Sequence, residues 1–531
     1  MMAKRWRTAA AEGLETRRML TDWFVATDGN NSSAGSSTAP WATLQYAADR
    51  VHAGDTVHVA AGEYVGFHLT RDGMATARIV FSGGRGVVIN QPNTRTADGI
   101  NLEGADFITI DGFEVVGMPR AGIRSVANSD AQIFNNDAHD NGRWGIFSGF
   151  SENIHIENNR TFGSQLEHGI YVSNSSDSPI IRGNIIANNY GNGIHMNGDV
   201  SQGGDGVISQ ALIENNVIYE NGRGGGSGIN LDGVQNSTVQ NNLLYNNHAS
   251  GISLYRIDGG AGSSGNIIQF NTVYQASDAR WALNIQDAST SNTIHHNVLL
   301  TAHSFRGSID VSLDSRAGLS SDYNVVADRF TLDAGDTRLT LAAWRAATGQ
   351  DAHSRVGSAH QVFADLQSSD FRLIATSAAA DIGPTSTLAS IDLLGLRRAP
   401  GQLLDAGAYA WNDRTAGDVN GDDLVNATDI DLLFAARRAG DNDARFDLNG
   451  DQQVDDQDVE VLLSDILHTG AGDANLDGVF DSSDLVEAFQ HGEYEDLVLT
   501  NSSWQSGDWD GDGEFTTADL VAAFQLGTYI G

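Results

Sequence analysis

Short segments of one design recur between residues 98 and 326, and that recurrence constrains the fold more than any other feature of the chain. Each opens on Gly-Ile: Gly99-Ile100, Gly122-Ile123, Gly145-Ile146, Gly169-Ile170, Gly193-Ile194, Gly228-Ile229 and Gly251-Ile252. Each then passes through a polar turn into a second short apolar segment that ends on asparagine. These asparagines are Asn136, Asn159, Asn184, Asn216, Asn242, Asn271, Asn297 and Asn324, in steps of 23, 25, 32, 26, 29, 26 and 27 residues. A unit of this length cannot bury its apolar face alone and has to stack on copies of itself. Apolar and polar residues alternate with a period of two, which specifies strands and not helices. Strands and tight polar turns at this pitch predict a mainly-β solenoid, a right-handed parallel β-helix. The asparagines then share one turn and hydrogen-bond along the stack, satisfying backbone groups that the turn exposes.

The alternation also predicts which side chains face out. With each isoleucine pointing inward, the outward column reads Asn101, Arg124, Phe147, Tyr171, His195, Asn230, Ser253, Asn284, Asp310. Two residues further along the same face stand Ser173, Asn197, Asp232, Tyr255 and Gln286. Coils about 4.8 Å apart bring column neighbours into contact. Tyr171, His195, Asn197, Asn230, Asp232, Tyr255 and Arg256 therefore gather on one patch, with His168 at the start of the Tyr171 strand. Three longer coils place extra residues at Gly198–Val207, Arg223–Gly226 and Arg256–Gly265, where they wall a groove.

Charge is distributed unevenly. Of a net −37, residues 417–531 carry −24, while residues 1–21 carry +3. That balance argues against a nucleic-acid partner. There is no cysteine to staple the fold. No run of about 18 apolar residues is present to form a transmembrane helix.

Residues 1–21 form a basic leader or disordered segment without the apolar stretch of a secretion signal. Within it, Leu14-Glu15-Thr16-Arg17-Arg18-Met19-Leu20 resembles a leader motif near the start of many large planctomycete surface proteins. From Trp23, a strand at Phe24-Val25-Ala26 leads through Pro40-Trp41 into an amphipathic helix ending near Val51, which covers the open end of the solenoid. This arrangement, over residues 22–412, resembles the start of secreted parallel β-helix proteins of the pectate lyase-like superfamily. Irregular coils are expected from Phe330 to Trp411, and 413–416 read as a linker.

Four loops follow with acidic or amide residues at spacing 1, 3, 5, 7, 9, 12, a pattern that wraps one hard cation, position seven offering its carbonyl. The first is Asp418, Asn420, Asp422, Leu424, Asn426, Asp429, and the second Asp447, Asn449, Asp451, Gln453, Asp455, Asp458. The third is Asp473, Asn475, Asp477, Val479, Asp481, Asp484, and the fourth Asp508, Asp510, Asp512, Glu514, Thr516, Asp519. Each precedes one apolar helix. Aspartate at position twelve and the pairing of the loops (417–468 and 469–531) resemble type I dockerin modules, with EF-hand-like calcium loops. The resemblance implies calcium as cofactor, an extracellular or cell-surface location, and a cohesin-like or surface protein partner. That partner would meet positions ten and eleven: Ala427-Thr428, Asp456-Gln457, Ser482-Ser483 and Thr517-Ala518. Position six is glycine in the third and fourth loops (Gly478, Gly513) but Asp423 and Gln452 in the others, which predicts weaker binding there.

A polar and aromatic patch on a flat sheet suits a polysaccharide. For β-elimination on an acidic glycan, His195 or His168 would serve as base, Tyr171 or Tyr255 as acid, and Arg256 as carboxylate clamp. Lys4 is the only lysine and lies outside the fold, so a lysine-base mechanism is excluded. A glycoside hydrolase would need two carboxylates about 5 to 9.5 Å apart; Asp232 with Asp199, Asp205 or Asp258 are the candidates. The alternative is a non-catalytic surface or adhesion protein that uses the β-helix as a glycan-binding platform.

Overall fold

The computed structural model describes residues 21–530 except 334, 375, 385–389, 395, 396, 399–402, 412–416, 421–423, 444, 450–452, 497 and 526–528. The leader motif Leu14–Leu20, the expected linker, and Asp422, Asp423, Asp451 and Gln452 of the acidic loops lie outside the described residues. The chain divides into two compact units. One comprises Met1–His295, Leu299–Asp322 and Val326–Asp351; the other comprises His296–Val298, Tyr323–Val325 and Ala352–Gly531.

The first unit is a parallel β-helix. Twelve strands from Asp22–Val25 to Ser320–Asp322 form one sheet, and eleven from Phe67–Leu69 to Phe330–Thr331 form a second. A third sheet begins at Gly62–Val65 and continues through Val87–Gln91 and Glu114–Val116. In the eleven-stranded sheet the repeat isoleucines are in register, Ile123 to Ile146 to Ile170 to Ile194 to Ile229 to Ile252. All six are fully buried. Removing each such side chain from water contributes roughly 1.5–3 kcal/mol, so the column drives the stacking.

The asparagine turn forms as the spacing predicts. The Asn136 backbone N–H donates to Asn159 Oδ1 at 2.9 Å, and Asn136 Nδ2 donates to the same oxygen at 3.0 Å. The same pair of bonds links Asn159 to Asn184, Asn184 to Asn216, and Asn216 to Asn242. The residue before each ladder position is left-handed, with φ of 54° at Asn135, 57° at Asn158 and 65° at Gly183. Asparagine and glycine tolerate that region at least cost. A second ladder joins Asn189 to Asn221 and Asn221 to Asn247. Its signal is an asparagine five residues after Asn184, Asn216 and Asn242.

The amino-terminal end carries the expected helix, Leu44–Ala48, whose Thr43 cap accepts from the Tyr46 N–H and whose Leu44, Ala47 and Ala48 are buried. At the other end, Phe330–Asp351 closes the first unit. Trp344 of helix Leu341–Thr348 stacks on Phe330 with centroids 4.9 Å apart, and its Nε1 donates to Asp351 Oδ2 at 2.8 Å.

In the second unit, helices Ala427–Ala439, Asp456–Glu460, Ser482–His491 and Thr517–Gln525 follow the four loops. One hydrophobic cluster containing Leu433, Phe434, Ala474, Phe480, Trp504 and Phe515 spans both expected loop pairs.

Candidate functional site

The eleven-stranded sheet presents the outward column in the expected order. Phe147 is in register with Tyr171, Tyr171 with His195, His195 with Asn230, Asn230 with Ser253, Ser253 with Asn284, and Asn284 with Asp310. Along the early coils this column is an aromatic wall. Trp144 stacks on Phe147 at 4.6 Å, Phe147 meets Tyr171 edge-on at 5.3 Å, and Tyr171 lies parallel to His195 at 4.8 Å.

His168 and His195 touch. The Asn192 backbone N–H donates to His168 Nδ1 at 3.1 Å, so His168 carries its proton on Nε2. That nitrogen lies 3.0 Å from His195 Nδ1, which must accept, leaving the His195 proton on Nε2. Each ring is thereby fixed as one neutral tautomer. Burial agrees: it lowers His195 to about 4, and burial followed by the neighbouring His195 holds His168 well below the usual imidazole range. His195 Nε2 is itself buried and has no partner. In this arrangement His195 offers a hydrogen-bond donor at Nε2, and Nε2 becomes a base only if both rings switch tautomer, with the His195 proton on Nδ1 and the Asn192–His168 bond broken. Tyr171, raised by burial, receives hydrogen bonds from Ser173 Oγ at 3.3 Å and Asn197 Nδ2 at 3.4 Å.

Asp232 is in a different situation from the one expected. It is buried and accepts from the backbone N–H groups of Ile257 (2.9 Å), Asp258 (2.9 Å) and Gly259 (3.0 Å). Its lone pairs anchor the Arg256–Gly265 insertion, so the assignment of Asp232 as a groove carboxylate is corrected. The insertions lie side by side as expected: the Val200 N–H donates to Asp258 O at 3.0 Å and the Gly260 N–H to Gly206 O at 2.7 Å. Asp199 and Asp205 accept from backbone groups of their own loop, Ser201 and Val207. Tyr255 is raised by burial and then by the Asp232 charge, which disfavours its phenolate. Arg256 is exposed and makes no ion pair with a described residue.

A cleft of about 470 Å³ further along the same sheet escaped the sequence reading of the site. Arg280, Trp281, Asn284, Gln286, Arg306 and Asp310 line it, together with Ser250 and the carboxylate-bearing Asp287. Asp310 is 4% exposed, and burial raises its carboxyl to about 6 against the opposing Gln286 hydrogen bond and Arg306 charge. Among the described residues its Oδ1 has no partner, nor has the Nε1 of Trp281, which is 2% exposed. The available signal was positional. Arg280 and Arg306 each stand three residues ahead of a strand, and the strand starts Leu283 and Ile309 are in register.

The acidic loops are arranged alike. Position nine caps the following helix and position twelve completes a capping box in three of them: Asn426 with Asp429, Asp455 with Asp458, and Asp481 with Asp484. Position-six glycines take the left-handed backbone expected of them, with φ of 85° at Gly478 and 94° at Gly513. Their N–H groups donate to Asp473 Oδ2 at 2.8 Å and Asp508 Oδ2 at 3.0 Å. In the fourth loop, ligand atoms of Asp508, Asp510 and Asp519 lie within 4.8 Å of one another. Burial pushes Asp508 up to about 7, and its Oδ1 is buried without a partner. Three converging carboxylates with an orphaned oxygen fit a hard cation.

Residues 23–254 match the family model described as Pel9A-like, right handed beta helix region. The chain is 26% identical over 221 residues to pectate lyase PEL9 of Emericella nidulans, a match covering 38% of this chain and 48% of that protein. It thus spans about half the length of this curated relative. The crystal structure of pectate lyase Pel9A superposes with a TM-score of 0.53 at 16% identity, covering 74% of this chain and 96% of that one. The fold of the first unit is therefore a right-handed parallel β-helix, and its residues 23–254 are similar to the Pel9A-like β-helix region. No helix among the described residues is long and apolar enough to cross a membrane.

Proposed function

We propose that this chain is an extracellular or cell-surface polysaccharide lyase-like enzyme that takes an acidic glycan along the outward face of the eleven-stranded sheet. One observation carries the reading: on a pectate lyase-like β-helix, a single column runs from stacked aromatic rings to arginine-lined polar groups. Aromatic faces pack on sugar rings, and guanidinium groups pair with carboxylates. In the proposed elimination the C5 proton of a uronate is removed, the C4–O bond breaks as the C4=C5 bond forms, and the leaving oxygen takes a proton. His195 or His168 supplies proton transfer, with Tyr171 or Tyr255 as acid and the exposed Arg256 as clamp. For His195 to act as base at Nε2, its proton must sit on Nδ1, donated to His168 Nε2, with the Asn192 bond to His168 Nδ1 given up.

The acidic tail is proposed to hold calcium, most strongly in the third and fourth loops, and to dock in the manner of a dockerin on a cohesin-like or surface protein. Thr428, Asp456, Gln457, Ser482, Ser483, Thr517 and Ala518 are exposed for such a contact, whereas Ala427 is buried. Calcium would rigidify the loops; titrating the apo-protein with calcium should raise its melting temperature, and Asp508→Asn should reduce that rise.

The test of activity is incubation with a panel of uronate and neutral glycans, following unsaturated-product absorbance and reducing ends together. Absorbance on uronate substrates supports elimination; reducing ends alone point to hydrolysis. The pinned, half-buried imidazole pair favours one second reading, a non-catalytic glycan-binding platform, whose signature is tight binding without either product.

A further inference from the structure

We propose that the cleft between Arg280 and Arg306 is a separate subsite for a carboxylated sugar, with the carboxylate held by the two guanidinium groups. The inference rests on the acidic-glycan reading for the identity of the polymer, but its geometry stands apart from the histidine patch. Three coil steps separate His195 from Asn284 in the outward column. At about 4.8 Å per step the subsite lies roughly 14 Å along the sheet, about three sugar units away. All but Ser250 of the lining falls beyond the 23–254 stretch that the family model matches.

Unspent hydrogen-bonding capacity is the main argument. Buried polar atoms in folded proteins are almost always paired, and leaving one unpaired costs about 1–3 kcal/mol. Here two residues that line one cleft each carry such an atom, an acceptor in Asp310 Oδ1 and a donor in Trp281 Nε1, with no partner among the described residues. Asp310 and Trp281 are 4% and 2% exposed, so bulk water does not satisfy them. A ligand carrying both a donor and an acceptor answers this pair, and a sugar hydroxyl is each in turn. Arg280 is exposed and Arg306 half-buried, and neither forms an ion pair with a described carboxylate. Arg306 acts on Asp310 only through its charge. Two arginines at equivalent positions of consecutive coils both line the cleft, and paired guanidinium groups suit a planar carboxylate better than a lone hydroxyl. Gln286 Nε2 donates to Asn284 Oδ1 at 3.0 Å, which fixes both amides on the cleft floor.

The experiment uses the full chain, a defined oligogalacturonate, and the same oligomer with its carboxyl groups reduced to alcohols. Calorimetric titration of wild type, Arg306→Ala, Arg306→Lys and Arg280→Ala/Arg306→Ala reads affinity, and turnover is followed in parallel. The double variant should bind the uronate oligomer at least tenfold more weakly and lose nothing against the reduced one. Arg306→Lys should recover part of the loss, and any turnover should show raised KM with kcat retained. Wild-type binding without products would remove the lyase reading yet leave the subsite supported by the arginine dependence. Equal uronate affinity in wild type and double variant, or no uronate binding by wild type, overturns the subsite.

Discussion

Two stretches of one sheet, the wall from Trp144 to His195 and the cleft from Arg280 to Asp310, lie along the same outward column, with Trp144, Arg280, Trp281 and Arg306 beside it, and solve opposite problems. In the wall the rings stack on one another and His168 spends both nitrogens, on Asn192 and His195. In the cleft Asp310 and Trp281 keep polar atoms unspent, and the neighbouring Arg280 and Arg306 pair with no carboxylate among the described residues. The histidines and tyrosines that look most chemical in the sequence are thus held mainly by one another, with His195 Nε2 alone of the paired imidazole nitrogens left over. The asparagine, aspartate and arginines that look ordinary are the ones left with capacity for a ligand.

Several measurements would break or sharpen that contrast. The largest effect belongs to His195. If it moves a proton in turnover, His195→Ala lowers kcat by about 10²- to 10⁴-fold while the fold persists. A loss below threefold would leave the wall with packing alone. Acid unfolding comes next. His195 is lowered to about 4, so the unfolded chain binds its proton first; this contribution is present above about 6.5 and is lost as pH falls toward 4. One such shift is worth on the order of 3 kcal/mol. Asp310, raised to about 6, has the opposite sign: its contribution is present at low pH and is lost as pH rises through 6. Asp310→Asn should therefore steepen the loss of stability between pH 6.5 and 4, as read from urea melts at each pH. An unchanged slope would refute the burial of its charge.

A smaller effect separates structure from ligand binding. His168→Ala leaves the Asn192 N–H without its acceptor and should cost about 1–3 kcal/mol in urea unfolding at neutral pH. Smallest of all, Arg306→Ala should change stability by less than about 0.5 kcal/mol, since it breaks no ion pair, although it is expected to weaken uronate binding. If the two variants exchanged these signatures, the contrast between wall and cleft would be reversed.

Much of the fold was legible because a stacked solenoid repeats one environment. The Gly-Ile starts, the Asn136-to-Asn324 turn and the outward order from Asn101 to Asp310 all appear where the period of two and the coil length put them. The second asparagine ladder was equally available in the spacing of five. Asp232 was misjudged because its column position says only that it points outward; the Ile257–Gly259 amides reach it through the path of an inserted loop. The cleft went unseen for a related reason: Arg280 and Arg306 precede their strands and belong to no column.

The sequence by itself determined the register, since any slip of one residue would turn the buried isoleucines into water. It determined the left-handed turns as well, through asparagine and glycine at positions with positive φ. Only the tertiary structure decided which tautomer His195 holds, which loop Asp232 anchors, and that Asp310 and Trp281 face one cleft. Periodicity fixes direction along a regular strand, whereas a hydrogen-bond partner depends on where irregular backbone from other coils comes to rest.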